Sequence, residues 1–223
     1  VQVFVTDLDG TLLDVRERMA RAHLETLNRV GYHFEPDQIE PLYRITLDAR
    51  DLLTRLGVDL SRLDLSRYIA LLNEAFYADW QLAQLVPGAL KVLEKLRKKA
   101  IPMRLITSRN HSEPTQREIR KFGLNRFFDR AWTRADLAKE EGVESIPLVP
   151  FVPHRRRLIQ LAIRDVNHEG DVWVAGDTAG ELEAAKSLGF TTVGVLTGFG
   201  TADQLTPFAH HLIDSIADLV NLI

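Results

Sequence analysis

The strongest constraint on this chain is a change of period along its length. Val1 to Thr6 is a β-branched and aromatic run that reads as a strand, and it ends in the polar turn Asp7-Leu8-Asp9-Gly10. From about Arg16 to Leu85 the apolar residues recur at helical spacing: Met19, Ala22, Leu27 and Val30, then Leu42, Ile45, Leu52, Leu53 and Leu56, then Ile69, Leu72 and Phe76. Gly31, Pro36, Gly57 and Asp59 punctuate this block, and no strand-like alternation occurs in it. From Val86 onward strands and helices alternate. Helices are expected over 89–99, 112–122 (with Ser112 as a cap), 157–166, 181–188 and 217–223. Strands are expected over 103–107, 172–175 and 191–196, with a short one within 127–133. Such alternation calls for a parallel sheet covered on both faces. The expected architecture is an α/β core formed by residues 1–15 and 84–223, interrupted by an all-helical domain over 16–83.

Composition removes several function classes. There are 28 Lys+Arg against 31 Asp+Glu, a formal net charge of −3, so the chain is not a basic protein built to cover nucleic-acid phosphates. There is no Cys, which excludes a disulfide scaffold, a thiolate metal site and a Cys nucleophile. No apolar run approaches the ~20 residues of a membrane span. No basic segment followed by an apolar one opens the chain. The expectation is a soluble cytoplasmic protein, monomer or homodimer, with neither nucleic acid nor membrane as a partner.

Ligands of open parallel sheets bind beyond the carboxyl ends of the strands. The residues just after the expected strands are Asp7 and Asp9, then Thr107, Ser108 and Arg109, then Gly176, Asp177 and Thr178, with Glu181 one turn later. Converging carboxylates repel one another unless a cation or proton joins them. Hard oxygen ligands without His or Cys suit Mg²⁺ together with a phosphate. A carboxylate nucleophile, a metal and hydroxyl donors are the parts of aspartyl-phosphate chemistry.

Asp7-Leu8-Asp9-Gly10-Thr11-Leu12 resembles the first motif of the haloacid dehalogenase (HAD) superfamily. Leu105-Ile106-Thr107-Ser108 resembles the second, and Gly176-Asp177-Thr178-Ala179-Gly180-Glu181 with Ala184, Ala185, Lys186 and Gly189 the fourth. Pro87-Gly88 and Val195-Leu196-Thr197-Gly198-Phe199-Gly200 are similar to segments of its phosphoglycolate phosphatase-like branch. The resemblance implies a Rossmann-like core with a helical cap that closes over the site and carries much of the substrate choice. It implies that Asp7 attacks phosphorus and becomes a phosphoaspartate. Asp9 would protonate the leaving oxygen, then activate water, and its backbone carbonyl would bind the metal. Thr107 would hold a phosphoryl oxygen, and Asp7, Asp9, Asp177 and Glu181 would form the metal shell for Mg²⁺. Ser108, Arg109 and, in the cap, Arg44 would contact substrate, with Thr46 as a further cap residue. The carboxylate at Asp9 favours phosphoryl over carbon–halogen chemistry.

Two departures stand out. Glu181 replaces the usual Asp, and the Lys-Pro of the third motif is missing. The corresponding stretch is Pro150-Phe151-Val152-Pro153-His154-Arg155-Arg156-Arg157. Arg155 or Arg156 is expected to supply the missing cation, with Arg157 turned along the helix; Lys139 and Arg109 are the other candidates. The expected function is an Mg²⁺-dependent phosphatase for a small phosphorylated metabolite such as phosphoglycolate. The alternatives are a phosphomutase of the same fold or a phosphate- or partner-binding protein with a degenerate third motif.

Overall fold

The computed structural model describes residues 1–43, 48–147 and 151–223. It divides into two compact units, Val1–Asp14 with Leu85–Ile223, and Val15–Gln84.

The first unit is built on a six-stranded parallel sheet. Its strands are β1 (Val3–Asp7), β2 (Met103–Ile106), β3 (Ala131–Trp132), β4 (Val172–Gly176), β5 (Thr191–Val195) and β6 (His211–Ile213), in the order β3-β2-β1-β4-β5-β6. This is a doubly wound order, and its reversal point lies between β1 and β4, where such sheets open a crevice at their carboxyl edge. In β1, Val3, Phe4 and Val5 are completely buried. Burying each such side chain contributes about 1.5–3 kcal/mol, so β1 is a stiff base for the turn at its carboxyl end. Val3 and Val5 pack with Ile106, Val172, Val174, Leu158, Ala162 and Ala185 into one continuous core. The covering helices include α5 (Ala89–Lys98), α6 (Ser112–Lys121), α7 (Arg134–Glu141), α8 (Phe151–Ile163) and α9 (Ala179–Ser187). The Val86 N–H donates to the Leu12 carbonyl at 2.9 Å, so the chain leaves and re-enters this unit at neighbouring points.

The second unit contains α1 (Arg16–Arg29), α2 (Pro36–Tyr43), α3 (Ala49–Arg55) and α4 (Leu65–Ala78). Asp48 caps α3, accepting from Arg50 N and Asp51 N at 2.7 and 3.0 Å, and Asp64 caps α4 by accepting from Arg67 N at 3.0 Å. The buried stripe of α4 runs through Tyr68, Ala75 and Phe76, whereas Ile69, expected in the core, is 40% exposed. The aromatic residue takes the inward position because its hydroxyl finds a buried partner, His23 Nδ1 at 2.7 Å.

Several local expectations need correction. The helix expected from Arg157 begins six residues earlier, at Phe151, with Pro153 in its first turn. Proline is tolerated there because the first N–H groups have no intrahelical partner. Ser112 is the first helical residue rather than a cap; His111 occupies the cap position. Helix α7 lies outside the expected elements, and its start is fixed by a Thr133–Asp136 capping box. The last helix is a 3₁₀ segment, Ile216–Asn221. The edge strand β6 lies outside the expected elements, because its three residues are too short for a readable period.

Candidate active site

β1 carries Asp7 at its end, and the chain turns sharply through Gly10, which has φ +82°. The Gly10 N–H donates to the Leu13 carbonyl at 2.7 Å, closing the turn. On one side of β1, Ile106 is in register with Asp7, so Thr107 and Ser108 emerge beside the turn. On the other side, Thr6 pairs with Ala175, and Asp177 comes directly after the end of β4. The first and second strands and the fourth therefore deliver Asp7, Thr107 and Asp177 to one crevice. Glu181, in the first turn of α9, joins them.

One oxygen of each of Asp7, Asp177 and Glu181 lies within 4.8 Å of the others. Asp177 and Glu181 are fully buried, and Asp7 is nearly so. Burial pushes all three carboxyl groups above the usual carboxylate range, most strongly Asp177 and Glu181. For Asp7 the Arg155 guanidinium opposes that rise, while Asp9 adds to it.

Arg155 is the cation of this cluster. Its Nη2 donates to Asp7 Oδ1 and to Glu181 Oε1, its Nε donates to Glu181 Oε1 at 2.9 Å, and its Nη1 donates to Ser108 Oγ at 3.3 Å. Arg155 is 2% exposed; burial disfavours its charge, but Glu181 and Asp7 more than offset this and raise its pKa. Starting α8 at Phe151 brings Arg155 about one turn into the helix, facing inward. Arg156 is exposed on the same helix, and Arg157 pairs with Glu141 at 3.0 Å. Lys139 is exposed on α7. Arg44 and Thr46 lie outside the described residues.

Asp177 is held by the loop after β5. Phe199 N donates to its Oδ2 at 2.8 Å, and Gly200 N donates to its carbonyl at 2.9 Å. The Thr197 hydroxyl reaches across to the Gly10 carbonyl at 2.8 Å, tying this loop to the turn after β1. The glycines around the carboxylates are close-approach glycines. A Cβ on Gly10 or Gly198 would sit 2.2 or 1.9 Å from Asp177 Oδ2, and one on Gly176 would sit 1.7 Å from Glu181 Oε2. The site is thus cut to fit the two carboxylates.

Asp177 Oδ1 and Glu181 Oε2 are buried with no hydrogen-bond partner, as are the Thr11 and Thr178 hydroxyls. Thr178 occupies the cap position of α9, but its hydroxyl makes no capping bond. Three carboxylates against one guanidinium leave a formal charge of −2. Orphaned hard oxygen atoms and an unbalanced −2 fit a divalent cation of the Mg²⁺ class.

Arg109 has a different surrounding from that expected of a substrate contact. Its Nε and Nη2 donate to Asp9 Oδ2 and Oδ1 at 2.8 and 2.7 Å, and its Nη1 donates to Glu118 Oε2 at 2.9 Å. Glu118 belongs to none of the sequence motifs. A signal for it nonetheless exists: it lies on the buried stripe of α6 with Thr115 and Ile119, where a carboxylate needs a partner.

The profile of the haloacid dehalogenase-like hydrolases matches residues 4–195. The chain belongs to that family. Over its whole length it is 23% identical to a phosphoglycolate phosphatase of Synechococcus elongatus, covering 97% of that protein. It is 25% identical over 206 residues to the tyrosine-protein kinase PtkA of Mycobacterium tuberculosis; that match covers 91% of this chain and 64% of the kinase. Among solved structures, a haloacid dehalogenase-like hydrolase from Streptococcus pneumoniae superposes with a TM-score of 0.80 at 18% identity, covering 100% of this chain and 98% of that one. That likeness establishes the shared fold: a Rossmann-like parallel sheet with an inserted helical domain.

Proposed function

We propose that this family member is an Mg²⁺-dependent phosphatase that hydrolyses a small phosphorylated metabolite, phosphoglycolate or a similar monoester, through a phosphoaspartate. The observation that carries the reading is the Asp7–Arg155–Glu181 cluster with Asp177 at the switch point of the sheet. It combines a carboxylate nucleophile, a fixed cation and orphaned oxygen ligands. The named relative from Synechococcus supports the substrate class.

Asp7 attacks phosphorus in line, and the bond from phosphorus to the ester oxygen breaks. Asp9 gives its proton to that departing oxygen. A water molecule then hydrolyses the phosphoaspartate and returns a proton to Asp9, restoring both carboxyl groups. The Thr107 hydroxyl and Ser108 orient the phosphoryl oxygens. Arg155 stands in for the missing third-motif Lys and offsets the repulsion between Asp7 and the phosphoryl group; its planar fork spans more than one oxygen, which suits it to that place. Asp7, Asp177, Glu181 and the Asp9 carbonyl would hold Mg²⁺. The ion, when bound, offsets phosphoryl charge and polarises the phosphoryl oxygens.

The test is phosphate release from a panel of phosphorylated metabolites with and without Mg²⁺. Turnover of a small monoester should require Mg²⁺ and vanish in chelator. Ca²⁺ should substitute poorly, because it tolerates longer bonds and more ligands than octahedral Mg²⁺. Full activity in chelator, or no phosphate release from any monoester, would sink the reading.

A further inference from the structure

We infer that Arg109 and Glu118 form a two-residue support that positions Asp9 for proton transfer, and that Arg109 is not a substrate-binding residue. This rests on the phosphatase reading and deepens it.

The geometry assigns all three nitrogens of the guanidinium. Nε and Nη2 take both oxygens of Asp9 in a fork, and Nη1 goes to Glu118. Arg109 is 6% exposed and Glu118 is 3% exposed, so neither is a surface ion pair. A bidentate pairing fixes the plane of the Asp9 carboxylate as well as its position. The backbone at Arg109 is held too. Its N–H donates to the Thr107 hydroxyl at 3.3 Å, and its carbonyl accepts from Arg134 N at 3.1 Å. Arg134 in turn donates from Nε to the Ser108 carbonyl at 2.6 Å and from Nη1 to the Ile146 carbonyl at 2.9 Å. The support therefore runs from α6 through Glu118 and Arg109 to Asp9.

This arrangement commits the Nε–Nη2 fork to Asp9 rather than to a phosphoryl group, and it leaves Asp9 able to work. A carboxylate offers about four lone-pair sites. Arg109 occupies one direction on each oxygen, and each oxygen keeps another for the proton that passes to the departing ester oxygen. The two guanidinium groups at the sheet edge thus divide the labour: Arg155 faces the nucleophile, and Arg109 faces the acid.

The distinction is readable in leaving groups. An alkyl ester needs its departing oxygen protonated, whereas p-nitrophenolate leaves readily without a proton. The constant kcat/KM covers events only up to that departure, so it is free of the later hydrolysis step. With Mg²⁺ present, kcat/KM is measured for the full-length protein on glycerol phosphate and on p-nitrophenyl phosphate. Arg109→Ala should lower the alkyl value by about 100-fold, the scale of a lost general acid, and the nitrophenyl value by less than about tenfold. Glu118→Gln, nearly isosteric and without direct contact to Asp9, should give the same asymmetry at about tenfold on the alkyl ester. Arg109→Lys should recover part of the alkyl activity. Equal losses on both esters with a raised KM would show that Arg109 holds the phosphoryl group, and the inference would be wrong. Unchanged kinetics in Glu118→Gln would remove that residue from the support, and this variant carries the test if Arg109→Ala does not fold. Absence of turnover by the unmodified protein on both esters would instead overturn the phosphatase reading itself.

Discussion

In the helical unit the buried polar residues Arg18, His23 and Thr26 each have an internal partner. His23 Nδ1 lies 2.7 Å from the Tyr68 hydroxyl, the Thr26 hydroxyl donates to the Ala22 carbonyl at 2.7 Å, and Arg18 donates to the Phe76 carbonyl with its guanidinium over the Phe76 ring. At the carboxyl edge of the sheet the opposite holds: Asp177 Oδ1 and Glu181 Oε2 are buried and unmatched, and only two of the three clustered carboxylates, Asp7 and Glu181, pair with the Arg155 guanidinium. An unmatched buried polar group costs about 1–3 kcal/mol, more for a charged one. Folding alone would remove such atoms; a site that must receive charge from outside keeps them. His168 Nδ1 is also buried without a hydrogen bond, so it is the clustering of unmatched carboxylate oxygens, not an unmatched atom alone, that marks the chemistry.

The sharpest way to break that comparison is Asp7→Asn. An amide does not attack phosphorus, so phosphate release should fall below detection. Stability should hold or rise, because the change removes one negative charge from a cluster with too many. Thermal unfolding beside a phosphate-release assay reads both. Retained turnover would remove Asp7 as the nucleophile.

Arg155→Ala should come next. It removes the cation that faces Asp7 and Glu181. The rate should drop by about a thousandfold or more, in line with the loss of a fixed charge in a dry site. Stability should fall by about 3–5 kcal/mol, because the buried carboxylates lose their counter-charge. Thus Arg155→Ala and Asp7→Asn should move stability in opposite directions while both abolish function. A denaturant titration in chelator separates them without any assay of activity.

Gly176→Ala is a gentler perturbation. The new Cβ would overlap the end of the Glu181 side chain, not the backbone, so the carboxylate must move while the sheet stays. We expect about a hundredfold loss of kcat, comparable to an ångström-scale misplacement in an active site. The melting temperature should change little. A large fall in melting temperature would mean that Gly176 serves the fold more than the site.

The central strands are legible in the sequence because they are largely buried and bounded by turns, and Asp7, Thr107 and Asp177 are legible because they stand at or directly after the ends of β1, β2 and β4. The illegible pieces have physical reasons. Pro153 looks like punctuation, yet it sits where a helix tolerates it, and this moves the start of α8 and the facing of Arg155. The partner of Arg109 is hidden because Asp9 and Glu118 are 109 residues apart and meet only through the guanidinium between them. Ile69 and Tyr68 are adjacent, and only the His23 nitrogen decides which of them turns inward. Periodicity reports which stripe is apolar; it does not report which polar atom is answered across the core.

The smallest expected effect lies in the satisfied region. His23 is buried against Tyr68, and burial lowers its pKa from 6.5 to about 3. Its folded form therefore stays neutral where the unfolded chain is already protonated. Stability from this group is fully present above about pH 6.5 and is lost as pH falls from there toward 3. Between pH 6.5 and pH 5 the loss is about 2 kcal/mol, at 1.36 kcal/mol for each pH unit. The measurement is a denaturant titration at pH 7 and pH 5 on the protein and on His23→Gln, which keeps a hydrogen-bonding group and does not titrate. The variant should start less stable and lose about 2 kcal/mol less over this interval. Parallel losses would mean that His23 accepts a proton in the folded state, and the helical unit would then carry a titrating group where its geometry indicates a neutral, structural one.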